Sequence, residues 1–246
     1  MRASSIEFRL RMLIQIVIVV LGFWAPWLGV WDIGRRVATL EWLALEMSRA
    51  GIASFTYAAP IMIAVGALAA LAGAVLRVWG SAYLGYEIVH HGDMQAAGVM
   101  AAGPYRYVRN PLYLGGWFMM AAISLLMPPT GALFTLVFVT IFYLRLILGE
   151  EAFLAVQLGE PYREYLRAVP RLFPRLRSRV PRTPARPNWG TALLTEINAI
   201  GIFVALAFLS WTYDNLLMIK AVLISFGISL VVRALMPRGE TKADAA

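Results

Sequence analysis

Two stretches of the chain gather residue types that bind or transform small molecules. The first is Gly103-Pro104-Tyr105-Arg106-Tyr107-Val108-Arg109-Asn110-Pro111-Leu112-Tyr113-Leu114-Gly115-Gly116. The second runs from Glu150-Glu151 through Leu158-Gly159-Glu160-Pro161-Tyr162-Arg163-Glu164-Tyr165 to Val169-Pro170-Arg171. A residue before proline is biased away from helix, asparagine is a favoured N-cap, and proline suits the first helical position. Asn110-Pro111 therefore predicts a helix start. Such a start carries free N–H groups and partial positive charge, which attract anions. Arg106 and Arg109 add full charges beside it, and Tyr105, Tyr107 and Tyr113 add aromatic faces. A ligand with a carboxylate and a flat base fits that set. Each feature also has a plainer reading: Arg and Tyr anchor helices at membrane boundaries, a Glu pair after a span is commonly solvated, and Asn-Pro commonly does no more than begin a helix.

The elements that position these stretches are apolar. Of 246 residues, 60% are hydrophobic and 15% charged, where soluble domains average about 45–50% and about 25%. There is no cysteine and only two histidines, His90 and His91. Thiolate chemistry is excluded, and no metal site is expected. The net charge is +8. The arginines flank apolar runs, so the basic balance points to membrane lipids rather than nucleic acid. The runs fall at about 11–31, 55–79, 112–127, 131–148, 193–212 and 215–235, read against the roughly 20 residues that a crossing helix needs. The first is long, ends in tryptophans and lacks a small-residue cleavage site, which favours a retained helix over a signal peptide. An all-α, polytopic transmembrane fold of about six spans is expected.

Pro128-Pro129-Thr130 separates the third and fourth runs, so residues 112–148 read as a helical hairpin. Its inner ends would set Arg109–Tyr113 beside Arg145–Glu151. With six alternating spans and the N-terminus inside, only Arg35, Arg36, Arg49 and Lys220 of the 22 basic residues lie outside. Lys/Arg excess marks the cytoplasmic face, which predicts both termini there. Trp24, Trp27, Trp31 and Trp42 form an interfacial belt at the other face, and residues 32–54 read as an outer amphipathic segment. Gly66, Ala70 and Ala74 recur every fourth residue, a spacing that lets helices pack closely. The organisation divides into N-terminal helices at 1–89, a core at 90–175, a basic Pro/Arg linker at 176–192 and a C-terminal hairpin at 193–246. The Pro- and Arg-rich stretch 174–188 should lie along the inner leaflet.

Gly103, Tyr105, Arg109, Pro111, Tyr113 and Gly115, then Glu150-Glu151, then Leu158, Gly159, Tyr162, Tyr165, Val169 and Pro170 make a two-part pattern across a hairpin. It resembles the isoprenylcysteine carboxyl methyltransferase and phospholipid methyltransferase superfamily, in a bacterial-type form, over residues 77–174. The resemblance implies S-adenosylmethionine as cofactor, whose adenine, ribose, carboxylate, ammonium and sulfonium match the polar and aromatic groups above. It implies a site of Gly103, Tyr105, Arg106, Tyr107, Val108, Arg109, Asn110, Pro111, Tyr113, Glu151 and Tyr162, with Glu150, Glu151 and Arg109 closest to the chemistry. Arg106, Tyr107 and Arg109 would seat the cofactor's amino-acid part, Glu151 would be a polar anchor, and Tyr113 and Tyr162 would wall the site. A histidine usual before the proline is Asn110 here, which keeps hydrogen bonding but cannot titrate near neutral pH.

The implied activity is methyl transfer to a lipophilic small-molecule or lipid acceptor, a carboxylate or an amine, in a bacterial inner membrane. An amine acceptor requires a base, for which Glu150 or Glu151 is nearest. Two other classes stay open: an NADPH-dependent sterol-type membrane reductase and a non-catalytic membrane scaffold. His90 and His91 are candidates for a lid or base, with an ordinary loop role as the alternative. Arg77 is worth testing. Glu196, Asn198 and Asp214 either shape an acceptor groove or pack. Oligomeric state has no signature.

Overall fold

The computed structural model describes residues 3–24, 37–84, 101–181 and 184–235. Among them the chain is helical with no strand. The helices are α1 (Ser5–Arg9), α2 (Arg11–Trp24), α3 (Thr39–Arg49) and α4 (Phe55–Leu84), then α5 (Pro111–Ser124), α6 (Pro129–Gln157) and α7 (Glu160–Ala168). Last come α8 (Trp189–Thr195), α9 (Ile197–Thr212) and α10 (Asn215–Leu235). A single 3-10 turn, Gly103–Arg106, precedes α5. His90, His91, Trp27 and Trp31 lie outside the described residues.

The long helices pack in the order α2, α6, α5, α4, α9, α10, so α4 sits between α5 and α9. The α4–α5 contact is close because of two glycines. A Cβ at Gly73 would lie 2.7 Å from the Gly115 carbonyl oxygen, and a Cβ at Gly115 would lie 2.8 Å from the Gly73 carbonyl oxygen and from Arg77 Cγ. Gly66, Ala70 and Ala74 are buried as their spacing predicts. The two alanines join Met119 and Ala122 of α5 and Ala199, Ile202 and Leu206 of α9 in the largest core. Small side chains here let backbones approach and gain dispersion contacts, which must drive helix association where no water is expelled.

α4 and α6 are each long and apolar enough to cross a membrane, and α8 with α9 makes a third candidate across a 66° bend. α2, α5 and Leu216–Val232 are shorter apolar helices. The protein is thus an integral membrane protein of helical class. The predicted hairpin is present with different ends. α6 continues past residue 148 to Gln157 and carries Glu150 and Glu151 within it. The stop is set by Gly159, at φ +64°, and Pro161, not by the change to charged residues at 150. α6 is roughly 43 Å long at 1.5 Å per residue, so its last turns project beyond a hydrocarbon core of about 30 Å. The mixed-charge segment after the first apolar run folds as α3, whose Thr39 hydroxyl donates to the Met127 carbonyl oxygen at 2.7 Å. α3 therefore closes the hairpin end far from the acidic pair.

Candidate functional site

The tyrosine/arginine stretch is held in place before it reaches α5. Gly103 sits at φ +51°, and a Cβ there would overlap the Tyr83 ring at the end of α4. Only glycine meets both conditions. The turn buries Tyr105, whose carbonyl oxygen accepts a 2.8 Å hydrogen bond from the Tyr165 hydroxyl of α7. Tyr107 lies against Trp79, with ring centroids 6.1 Å apart. Two backbone bonds tie the stretch to the chain after α7: Arg109 N–H to the Pro170 oxygen at 2.9 Å, and Arg175 N–H to the Tyr107 oxygen at 3.0 Å.

Glu151 is the centre of the arrangement, 6% exposed on α6. Arg109 Nη1 stands 3.1 Å from its Oε1. Arg171 donates from Nε at 3.1 Å and from Nη2 at 2.8 Å to its Oε2. Asn110 Nδ2 donates to Oε1 at 3.3 Å and to the Arg171 carbonyl oxygen at 3.2 Å. Asn110 does begin α5 as predicted, but its side chain caps nothing. The amide is turned away as a donor to Glu151, because a buried carboxylate needs donors more than one helical N–H needs an acceptor.

The cluster holds one carboxylate and two guanidiniums, so it is net positive beside the positive end of α5. Burial lowers the Arg109 pKa from its ordinary value, with Glu151 opposing that shift. Hydrogen bonding to Glu151 raises that of Arg171. Burial also pushes the Tyr162 phenol up, and the nearby Glu151 charge adds to it. Among the described residues, the Tyr105 hydroxyl, Arg106 Nε and Arg109 Nε are buried without a protein hydrogen-bond partner. Buried donors without acceptors are costly, and these three belong to neighbouring residues of one short stretch. They fit a bound group that offers acceptor oxygens or nitrogens. Val108 is 1% exposed, so any ligand contact it makes falls to its backbone.

The residues expected to be nearest the chemistry occupy distinct places. Glu150 lies within hydrogen-bonding reach of Tyr113, which also packs edge-on to Tyr143 at 5.6 Å. Glu151 already accepts from three side chains, so taking up a proton requires displacing a guanidinium. Arg145 does not join the cluster. Its Nη2 lies 2.9 Å from Glu7 Oε1, and its carbonyl oxygen accepts from Ala3 N–H at 3.0 Å, so it fastens α1. Tyr162 and Tyr165 are both buried in a small core with Ala101 and Val169.

A second acid–base cluster lies across α4. Arg77 Nε and Nη2 donate to Glu196 at 2.6 and 3.1 Å, and the Ser81 hydroxyl donates to Glu196 Oε1 at 2.6 Å. Glu196 is 2% exposed at the bend between α8 and α9. Arg77 Nη1 also reaches the Leu112 carbonyl oxygen at 3.5 Å, in the first turn of α5. Sequence reasoning gave no role to Arg171 and left Glu196 undecided. The signal for the second was present: an acid inside an apolar segment needs a partner, and Arg77 was the basic residue ending another apolar run.

An apolar cavity of about 660 Å³ lies at the other end of α5, lined by Phe23, Leu40, Phe55, Ile63, Ile123 and Leu126 among others. It does not adjoin Glu151.

Residues 61–160 match the family model described as phospholipid methyltransferase. The match spans most of α4, the turn, α5 and α6, and it ends before Arg171 and Glu196. No curated protein and no solved structure matches the chain.

Proposed function

We propose, from the match of residues 61–160 to the phospholipid methyltransferase family, that the chain is an S-adenosylmethionine-dependent methyltransferase of the membrane, acting on a lipophilic acceptor. The observation that supports the reading is that Tyr105, Arg106 and Arg109, close together in the chain, each keep a buried polar atom without a protein partner, Arg109 while it is paired with Glu151. When bound, S-adenosylmethionine supplies a methyl group on a sulfonium, ready for attack by a nucleophile.

The protein's own residues hold and orient. Arg109 Nε and the start of α5 meet the cofactor carboxylate, and Arg106 Nε adds a second donor. Tyr105 offers its hydroxyl to a polar atom of the bound group. Glu151 keeps Arg109 and Arg171 fixed, so both stay aligned without reorganisation when a ligand arrives. Tyr107, Tyr113 and Tyr162 present aromatic faces, which attract a sulfonium as they do other ligand cations. Catalysis then consists mainly of positioning. A carboxylate acceptor needs no base. An amine acceptor needs one, and Glu150 fits that role better than Glu151, since no guanidinium is paired with it in an ion pair among the described residues. The acceptor enters from the bilayer, and the Lys/Arg excess supports a cytoplasmic face for the cofactor.

Calorimetric titration of the detergent-purified protein with S-adenosylhomocysteine, with NADPH in parallel, tests the reading. Binding of the first, lost in Glu151→Ala, is expected. Binding of NADPH alone would favour a sterol-type reductase, and binding of neither would favour a scaffold.

A further inference from the structure

The chain between α7 and α8 passes directly along the Glu151 site, and its side chains divide between two faces. On the inner face Arg171 holds Glu151. Arg175 donates from Nη1 to the Ala168 oxygen at 2.7 Å, and the Val180 oxygen accepts from Arg106 Nη2 at 3.2 Å. On the outer face Phe173 is 86% and Leu176 99% exposed. Arg177 and Arg179 are exposed beside them, and neither has an ion-pair partner among the described residues. No acidic residue occurs between Glu164 and Glu196, while arginines recur throughout that interval.

Large apolar side chains standing free next to unpaired arginines do not suit bulk water. They suit the boundary of a bilayer, where apolar tips enter the acyl edge and guanidiniums meet lipid phosphates. The level is right. The segment is tied to the start of α5 through Arg109 and Asn110. It is also tied to Glu151, which lies about 33 Å along α6 from Pro129 at 1.5 Å per residue, close to the thickness of a hydrocarbon core.

We propose that residues 172–180 are a docking strap for anionic lipid headgroups. Phe173 and Leu176 insert into the interfacial layer, Arg177 and Arg179 bind lipid phosphates, and the docked strap steadies Arg171 and Arg106 at the site. The coupling to the site rests on the proposed cofactor role, whereas the docking itself rests only on membrane embedding.

Because the chain has no cysteine, Leu176→Cys accepts a single environment-sensitive fluorophore. The full-length protein is placed in nanodiscs of phosphatidylcholine, alone or mixed with phosphatidylglycerol. In the mixed membrane the probe should be quenched by nitroxide-labelled lipid and shielded from aqueous iodide. The shielding should fall with added salt, since screening shortens electrostatic reach to about 3 Å at 1 M, and it should fall in Arg177→Gln/Arg179→Gln. Full iodide access in both membranes overturns the docking, and strong shielding in both overturns the anionic preference. Affinity for S-adenosylhomocysteine should rise several-fold with the anionic lipid in wild type and stay flat in the double variant. A flat response in both overturns the coupling. Absence of any S-adenosylhomocysteine binding overturns the cofactor reading and the coupling with it, while the quenching result still decides the docking.

Discussion

Glu151 and Glu196 are both buried carboxylates held by arginine, yet their surroundings differ in charge balance. Glu196 meets the Arg77 guanidinium and the Ser81 hydroxyl. Donors and acceptors close on each other there, and the pair joins α4, α5 and the α8–α9 bend. Glu151 meets two guanidiniums and an amide, and Arg109 Nε beside it has no acceptor. One cluster sets a carboxylate against a guanidinium and a hydroxyl, while the other sets one carboxylate against two guanidiniums and leaves a donor spare. A closed pair is a strut, and an open one can take a ligand anion.

The largest expected effect breaks the strut. Glu196→Gln leaves the part-buried Arg77 without its Glu196 counter-charge, which should cost about 2–4 kcal/mol, somewhat less than the loss of a fully buried pair. Thermal unfolding in detergent measures it, and Arg77→Met with Glu196→Leu should recover most of the loss, since a buried pair can be replaced by apolar side chains. A single variant as stable as wild type would show that the pair carries no weight.

Next comes the open cluster. Arg109→Gln should weaken S-adenosylhomocysteine binding about a hundredfold, or about 2.7 kcal/mol, with a smaller loss for the more exposed Arg171→Gln. Equal losses at Arg77 and Arg109 would erase the distinction between strut and site. Tyr105→Phe sharpens it further, because the two readouts should move in opposite directions. Removing a buried hydroxyl without a partner should leave the ligand-free protein as stable or up to about 1 kcal/mol more stable, while ligand affinity falls. A drop in stability would mean the hydroxyl has a protein partner.

The smallest effect is at the N-terminal fastening. The Arg145 guanidinium holds the Glu7 carboxyl at about 2, below its ordinary 4.5. A depressed carboxyl contributes above its unfolded pKa and loses that contribution as pH falls through its folded one. The stability gap between wild type and Glu7→Gln should therefore be full above pH 4.5 and vanish toward pH 2. It should be on the order of 1 kcal/mol, because the pair is partly exposed. A gap that does not change with pH would mean that the ionised Glu7 carboxylate is not held by Arg145 in the folded protein.

Much of this was legible in the residues. Apolar runs predicted the helices, because a segment crossing lipid must satisfy its backbone internally. Asn110-Pro111 predicted the start of α5, and the Pro pair predicted a hairpin that brings Arg109 to Glu151. These are local rules, set by backbone chemistry and by short loops. The extent of α6 was not legible, because charged side chains do not stop a helix that Gly159 and Pro161 stop later.

The amino-acid sequence by itself determined the helical membrane class, the hairpin and the meeting of Arg109 with Glu151. Only the tertiary structure decided how their charges are shared. Arg171 reaches Glu151 from beyond α7, Arg145 is diverted to Glu7, and Glu196 closes on Arg77 across 119 residues. Such pairings depend on which ends of separate helices arrive at the same depth with no water to stand between them. Spacing along the chain does not encode that meeting, because it is a property of the packed bundle.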